Sequence, residues 1–197
     1  MRSLMGRHRD FWGLTEDGLI WASKNLKLDL TDDKKKQLMD AYLTLAAFPD
    51  VKPGLEALKK QGLKLAILSN GEPKMLEAAV KSAGIRDLLD EIISVEEVKI
   101  FKTSHRVYWL ATERLKVTNP ELAFVSANNW MAWQRYRLDC GRFGSSAVPP
   151  RFPRNWASKS TPPSRRLRTF RPCCAANARG IAVFACTSWT VTTACVS

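Results

Sequence analysis

The sequence predicts an α/β protein built on a parallel sheet, with a helical lobe in front and an irregular tail behind. Short, nearly continuous apolar runs at 63–69, 90–95 and 121–127 alternate with segments whose apolar residues recur every three or four positions. Such alternation is typical of a parallel sheet covered by helices. Residues 1–47 carry only helical patterns, and past residue 130 neither the period of two nor the period of 3.6 continues.

The helical lobe is predicted from two amphipathic segments, 10–27 and 30–48. In the first, apolar residues lie close to a helical stripe, and Thr15 followed by two acids is the predicted N-cap. In the second, Thr31 precedes Asp32 and Asp33, which suits a helix N-terminus. Both segments therefore predict helices with one apolar face.

From residue 49 onward, helices and strands alternate. Proline near the start of a helix and glycine at its end mark two of the helices, which begin near Pro53 and Pro73 and end at Gly62 and Gly84. The predicted order is helix 51–62, strand 63–69, helix 72–84, strand 90–95, helix 104–115 and strand 121–127. The strands are apolar enough to be buried on both faces of the sheet.

Most of the net charge of +12 lies in the tail, which carries +10 of it. Residues 1–132 contain 20 basic and 18 acidic side chains, whereas residues 133–197 contain 11 basic side chains, 10 of them arginine, and one acid, Asp139. All five cysteines also lie in the tail, without a C-x-x-C spacing or a histidine at zinc spacing, so neither a disulfide framework nor a metal site is predicted. In this region, the sequence predicts a single apolar, β-like run, at residues 178–197.

No stretch approaches the roughly 18 apolar residues of a membrane span, and the N-terminus lacks the apolar run of a secretory signal. We therefore expect a cytoplasmic protein without a membrane partner.

Polar residues follow two of the predicted strands. The first strand ends in Ser69, Asn70 and Gly71, and the third runs into Ser126 and Asn128. The carboxyl ends of parallel strands share one edge of the sheet, where helix N-termini favour anions. With Lys102 on a loop between them, these residues predict a site for a carboxylate or a phosphate.

Each residue also has a plainer interpretation. A Ser-Asn-Gly sequence after a strand is more often a turn with a helix cap. Taken singly, Lys102 would be a solvated surface lysine and Asn128 a cap. The prediction of an anion site depends on the whole set in this order.

The set resembles the L-2-haloacid dehalogenases of the haloacid dehalogenase superfamily. The similarity covers residues 1–130 and is carried by RSLMGRHRDFWGLT, AYLTLAAFPDVKPGLEALK, LAILSNG, KIFKTS and FVSANNW. The resemblance implies a Rossmann-like core at 48–130, a helical cap of which 1–47 is a remnant, and cofactor-free hydrolysis of L-2-haloalkanoic acids to D-2-hydroxy acids.

The resemblance also implies roles for individual residues. Ser69 and the Asn70 amide would hold the substrate carboxylate, and Lys102 would keep the nucleophile ionised. Tyr108 and Ser126 would support that network, and Asn128 would position the ester or the water. Phe11 and Trp130 would line the alkyl pocket, although Phe11, Trp130 and Tyr108 could equally be core residues.

Two departures from the family pattern stand out. The family's nucleophilic aspartate follows an N-terminal apolar strand that this sequence lacks, so we expect a chain that is truncated at its front, inactive, and left with a defective sheet. At the other end, Met131 replaces the expected acid, and lysine gives way to arginine. We therefore expect residues 131–197 to be an irregular basic tail that is out of frame.

Three alternatives stay open. The arginine-rich tail, with its aromatic residues, could bind nucleic acid, although its lack of any repeat argues against that partner. A phosphatase of the same superfamily would need an acid pair for magnesium, and Met131 argues against it. Dimerisation, common in this family, would add a second copy of the chain as a partner.

Overall fold

The computed structural model describes residues 2–125 and 181–186, of which residues 120, 123–125 and 181–186 are described through their backbone. Five α-helices and four strands form this part of the chain. In order they are α1 (Phe11–Asn25), α2 (Asp32–Asp40), α3 (Val51–Lys60), β1 (Lys64–Ser69), α4 (Pro73–Ser82), β2 (Glu91–Ser94), α5 (His105–Leu115), β3 (Leu122–Val125) and β4 (Ile181–Cys186).

The two predicted lobe helices are present, but the start of the first differs from the prediction. Asp10, not Thr15, caps α1: its Oδ1 accepts a hydrogen bond of 2.6 Å from the Gly13 amide. Thr15 lies inside the helix and donates to the Phe11 carbonyl. The predicted Thr31 cap of α2 is confirmed, since its hydroxyl accepts from the Lys34 amide.

The strands and helices predicted from residue 49 onward are confirmed. Pro73 is the first residue of α4, and the glycines that end α3 and α4, Gly62 and Gly84, adopt the left-handed conformation at φ +81° and +65°. Glycine has no Cβ to clash in that conformation, so it ends a helix at little cost.

The sheet is parallel and has the order β2-β1-β4-β3. Side chains of β1 alternate between two apolar cores, so that the strand is buried on both faces. Leu65 and Ile67 pack with α3 and α4, whereas Ala66 and Leu68 pack with α5. The α/β prediction is therefore confirmed, and the described part agrees with the incomplete Rossmann-like fold expected from the sequence.

The expectation of a defective sheet is wrong for the described strands. β4 lies between β1 and β3 and pairs with both, so the sheet continues without a gap from β2 to β3. The apolar pattern at 178–197 had indicated a β-like run but not its place in the sheet.

None of the helices in the described ranges is both long enough and apolar enough to cross a membrane.

Candidate functional site

The carboxyl edge of the sheet carries two buried serines. Ser69 ends β1, Ser94 ends β2, and the two are register partners. Both side chains are almost fully buried. Parallel pairing therefore brings the polar ends of two strands together, as the sequence predicts for Ser69.

Hydrogen bonds close the turn after β1 from both sides. The Ser69 hydroxyl accepts a bond of 3.1 Å from the Gly71 amide. The Ser94 hydroxyl donates to the Gly71 carbonyl at 2.6 Å and accepts from the Glu96 amide at 3.1 Å. The sequence analysis missed Ser94, although the run EIIS ends in serine as LAILS does, and that shared ending was the available signal.

Gly71 lies close to its neighbours in this turn. A Cβ placed there would meet Leu76 Cδ2 at 3.1 Å and the Ser69 hydroxyl at 3.5 Å. Leu76 is itself buried in α4. Glycine at this position thus lets the turn pack against the first turns of α4, whose N-terminal amides lie just beyond it.

Lys102 is buried at this edge and is not a solvated surface lysine. Only 7% of its surface is exposed, and its ammonium donates a hydrogen bond of 2.7 Å to the Leu68 carbonyl. Its own backbone amide donates to the Asn70 Oδ1 at 3.1 Å. A cation, the end of β1 and the Asn70 side chain are therefore gathered in one place, as the predicted anion site requires.

Two other predicted site residues lie in the described part of the chain. Tyr108 is buried in α5, within the core that packs on Ala66 and Leu68 of β1. Phe11 is the first residue of α1 and is half-buried. Their burial fits either a role at the site or ordinary packing, so both roles stay predictions.

Ser126, Asn128 and Trp130 lie outside the described residues. Their predicted roles are therefore not tested by the geometry.

The start of α1 contacts the residue that follows the turn. Glu72 accepts a hydrogen bond of 3.3 Å from the Trp12 amide, and its carboxyl group shares a hydrogen bond with Asp10. Burial, followed by the bond with Asp10, raises the pKa of Glu72. The hydrogen bond from the Gly13 amide lowers the pKa of Asp10. The helical lobe thus meets the candidate site through two neighbouring carboxyl groups, of which Glu72 has a raised pKa and Asp10 a lowered one.

A second contact joins the N-terminal residues to the loop that carries Lys102. His8 Nε2 lies 2.8 Å from a carboxylate oxygen of Glu96, and the His8 ring packs on Phe101 with centroids 5.2 Å apart. The Phe101 amide donates to the Ser3 hydroxyl at 3.1 Å. These contacts were not predicted from the sequence, because they join residues about ninety positions apart.

Among the described residues, no group of three or more histidine, cysteine, aspartate or glutamate side chains is placed to hold a metal ion. The buried ammonium of Lys102, with the neighbouring hydroxyl and amide groups, suits an anion, and the carboxyl group of Glu72 lies next to them.

In open parallel α/β sheets, ligands bind at the carboxyl edge of the strands, which is the edge where the ammonium of Lys102 is buried. The chain belongs to the haloacid dehalogenase-like hydrolases, whose family model matches residues 2–130.

Within this family, the chain is similar to proteins named (S)-2-haloacid dehalogenases. The chain is 46% identical over 132 residues to an (S)-2-haloacid dehalogenase of Pseudomonas sp. (strain YL), covering 67% of this chain and 57% of the relative. It is 42% identical over 147 residues to (S)-2-haloacid dehalogenase 4A of Burkholderia cepacia, covering 75% of this chain and 62% of the relative. The chain thus spans about three-fifths of the length of these relatives.

Solved structures agree with this placement. The L-2-haloacid dehalogenase of Xanthobacter autotrophicus with chloropropionic acid covalently bound superposes with a TM-score of 0.65 at 37% identity, covering 71% of this chain and 56% of that one. Another L-2-haloacid dehalogenase gives a TM-score of 0.70 at 34% identity, covering 92% of this chain and 73% of that one. The match to both supports the fold assigned above.

Proposed function

We propose that the site serves the hydrolytic dehalogenation of L-2-haloalkanoic acids to D-2-hydroxy acids. The observation that carries the proposal is the buried ammonium of Lys102, held 2.7 Å from the end of β1 beside the Ser69-Asn70 turn. A fixed positive charge beside this turn and the N-terminus of α4 suits a small carboxylate. The names of the relatives, (S)-2-haloacid dehalogenases, supply the substrate class.

In this proposal, Ser69 and the Asn70 amide bind the substrate carboxylate, and Lys102 provides the positive charge beside the reacting groups. Tyr108 and Ser126 support that network, and Asn128 positions the ester or the attacking water. Phe11 and Trp130 contact the alkyl group. No cofactor takes part.

The chemistry is a double displacement. A carboxylate oxygen bonds to C2 of the acid, the carbon–halogen bond breaks, and the halide leaves with inversion at C2. Water then adds to the carbonyl carbon of the resulting ester and releases the hydroxy acid, so that one difficult step becomes two easier ones. The family's aspartate for the first step follows an apolar strand of a kind that these 197 residues do not contain. We therefore propose that this chain binds the acid without turning it over.

Two measurements test the two parts of the proposal separately. Purified 197-residue chain is incubated with L-2-chloropropionate, and free chloride is measured by ion chromatography; we expect no release above the buffer blank. Catalytic release would refute the inactivity while supporting the substrate class. In parallel, thermal denaturation should show that L-2-chloropropionate stabilises the chain and that 2-chloropropionamide, which lacks the carboxylate, does not. Equal effects of the two compounds would refute the substrate class.

A further inference from the structure

The strand β4 lies far along the chain from β1 and β3, the two strands with which it pairs. It lies in the middle of the sheet, with Lys64 to Ser69 paired to Ile181 to Cys186 on one side and Leu122 to Val125 paired to Ile181 to Phe184 on the other. Fifty-five residues separate it from the end of β3. The sheet is thus completed at its centre by a segment that is distant in sequence from both neighbours.

The neighbouring strand β1 cannot serve as an exposed edge. Leu65, Ala66, Ile67 and Leu68 are all buried, since helices cover both faces of the strand. Its amides and carbonyls therefore need partners on both sides. β2 supplies one side, through the register from Ala66 to Ser69. β4 supplies the other along the whole length of β1.

The strand β3 depends on β4 even more directly. In the described sheet, β3 pairs with β4 and with no other described strand. Without β4, the ladder that joins β3 to β1 would be missing. The polar turn that follows β1 and the end of β3 would then no longer be held at one edge of the sheet.

The sequence of β4 suits a central parallel strand. IAVFAC consists of six apolar residues without proline, glycine or charge. Continuous apolar runs of this length are typical of strands that are buried on both faces. The segment therefore has the apolar composition of a central strand, whereas the region around it is rich in arginine.

We propose that the space between β1 and β3 is an acceptor site for one parallel, apolar strand of six residues, filled in this chain by its own residues 181–186. The chemistry of recognition is backbone pairing of an apolar segment to two strands, as in strand addition between proteins. The same sequence supplied as a peptide should enter the site when β4 is prevented from doing so. This proposal is independent of the ligand proposed above.

The register can be tested by cross-linking in a background whose native cysteines, at 140, 173, 174, 186 and 195, are replaced by alanine. The pair Lys64→Cys and Ile181→Cys joins register partners, whose Cα separation in a sheet, about 4.8 Å, falls within the range for a disulfide. The control pair Lys64→Cys and Ala182→Cys shifts the register by one residue and turns the second side chain to the other face.

Mild oxidation of the full chain should form the intramolecular disulfide at least about tenfold faster in the first pair than in the control, because a shift of one residue places the two cysteines on opposite faces of the sheet. Equal rates, or no intramolecular disulfide in either pair, would overturn the proposal. Disulfides that form only between two chains would also overturn it, since the site would then hold the strand of a second copy.

A second experiment tests exchange of the strand. Val183→Pro removes a backbone donor from the middle of β4, and Ala157→Pro is the control outside it. A biotinylated peptide of residues 179–188 should bind full-length Val183→Pro at least about tenfold more tightly than it binds Ala157→Pro or the parent chain, whose own β4 competes at high effective concentration.

A scrambled peptide of the same composition serves as the specificity control. Equal capture of both peptides by folded Val183→Pro, or capture of neither, would overturn the exchange of strands. If Val183→Pro fails to fold while Ala157→Pro folds, the result supports β4 as an obligatory strand, and the cross-linking rates then decide its register.

Discussion

The ammonium of Lys102 donates a hydrogen bond of 2.7 Å to the carbonyl oxygen of Leu68, the residue before the last in β1. The same residue donates its backbone amide to the side chain of Asn70. One loop residue thus contacts both the end of the strand and the turn that follows it. This arrangement fixes a positive charge at the edge of the sheet where the carboxylate of a small acid is proposed to bind.

Replacing Lys102 with methionine should weaken binding of L-2-chloropropionate. Methionine keeps most of the apolar stem but removes the charge, and a hydrogen bond involving a charged group contributes about 1.5–3 kcal/mol, which corresponds to a loss of at least about tenfold in affinity. Lys81→Met is the matched control, because Lys81 is exposed in the last turn of α4. Isothermal titration of both variants, with circular dichroism to verify folding, makes the comparison. Equal affinities would show that the ammonium does not contact the ligand.

Ser94→Ala should destabilise the chain. The buried Ser94 hydroxyl bonds both the Gly71 carbonyl and the Glu96 amide, and leaving buried groups without a partner costs about 1–3 kcal/mol. Urea denaturation measures the loss in the free energy of unfolding. Ser82→Ala, at the exposed end of α4, is the control and should change stability little. Similar values for the two variants would contradict the role given to Ser94.

Alanine should have opposite effects at two glycines. At Gly71 the new methyl group would meet Leu76 at 3.1 Å, and overpacking of this kind costs about 1–3 kcal/mol. At Gly18, within α1, nothing lies within 4 Å of the new Cβ, so alanine should stabilise the helix by about 0.5–1 kcal/mol. Thermal denaturation should give a lower melting temperature than the parent chain for Gly71→Ala and a higher one for Gly18→Ala. A stabilised Gly71→Ala variant would mean that the turn is not tightly packed.

Glu72→Gln should make the chain more stable at pH 7 but not at pH 4. The raised pKa of Glu72 means that the folded chain holds this proton more tightly than the unfolded chain. Its contribution is therefore complete below the ordinary value of 4.5 and is lost as the pH rises through the raised pKa. Glutamine does not ionise, so its contribution to stability does not fall as the pH rises. It can still accept a hydrogen bond from the Trp12 amide and donate one to Asp10.

The control for this pH dependence is Glu77→Gln, because Glu77 is exposed on α4 and pairs with Arg86. Urea denaturation at pH 4 and pH 7 should show a gain at pH 7 for Glu72→Gln alone. The lowered pKa of Asp10 acts in the opposite direction, since its contribution is present above the ordinary 3.8 and is lost as the pH falls. A gain of equal size at both pH values would contradict the raised pKa of Glu72.

The coding sequence offers a separate test of the tail. The family match ends at residue 130, close to the point where lysine gives way to arginine and acids almost disappear. We predict that one of the other two reading frames after residue 128 encodes a strand and helix similar to the relatives. Absence of such similarity in both frames would refute a shift of frame. The pairing of β4 with its neighbours depends only on the residues present, whichever frame they come from.

Most helices and strands of the fold could be predicted from local sequence patterns. The apolar run of β1, the proline that begins α4 and the glycines that end two helices all act through neighbouring residues, so their consequences are visible in the sequence. The cap of α1 was misplaced because Asp10 and Thr15 are both good capping residues, and only the contact with the Gly13 amide distinguishes them.

Long-range relationships could not be predicted in the same way. An apolar run indicates a strand but not which strands it pairs with, so the place of β4 between β1 and β3 was not foreseen. The burial of the Lys102 side chain likewise depends on how its loop packs against β1. The site was predicted from the order of its residues, whereas Ser94 was overlooked because the predicted strand 90–95 runs one residue past it, while β2 ends at Ser94.

The most direct test of the proposed site is a titration of the ¹⁵N-labelled 197-residue chain with L-2-chloropropionate, followed by two-dimensional amide spectra. The account predicts saturable shifts shared by Ser69, Asn70, Gly71 and Lys102, and none of these with 2-chloropropionamide. Shifts confined to the arginine-rich residues 133–197, or no saturable shifts at all, would contradict it.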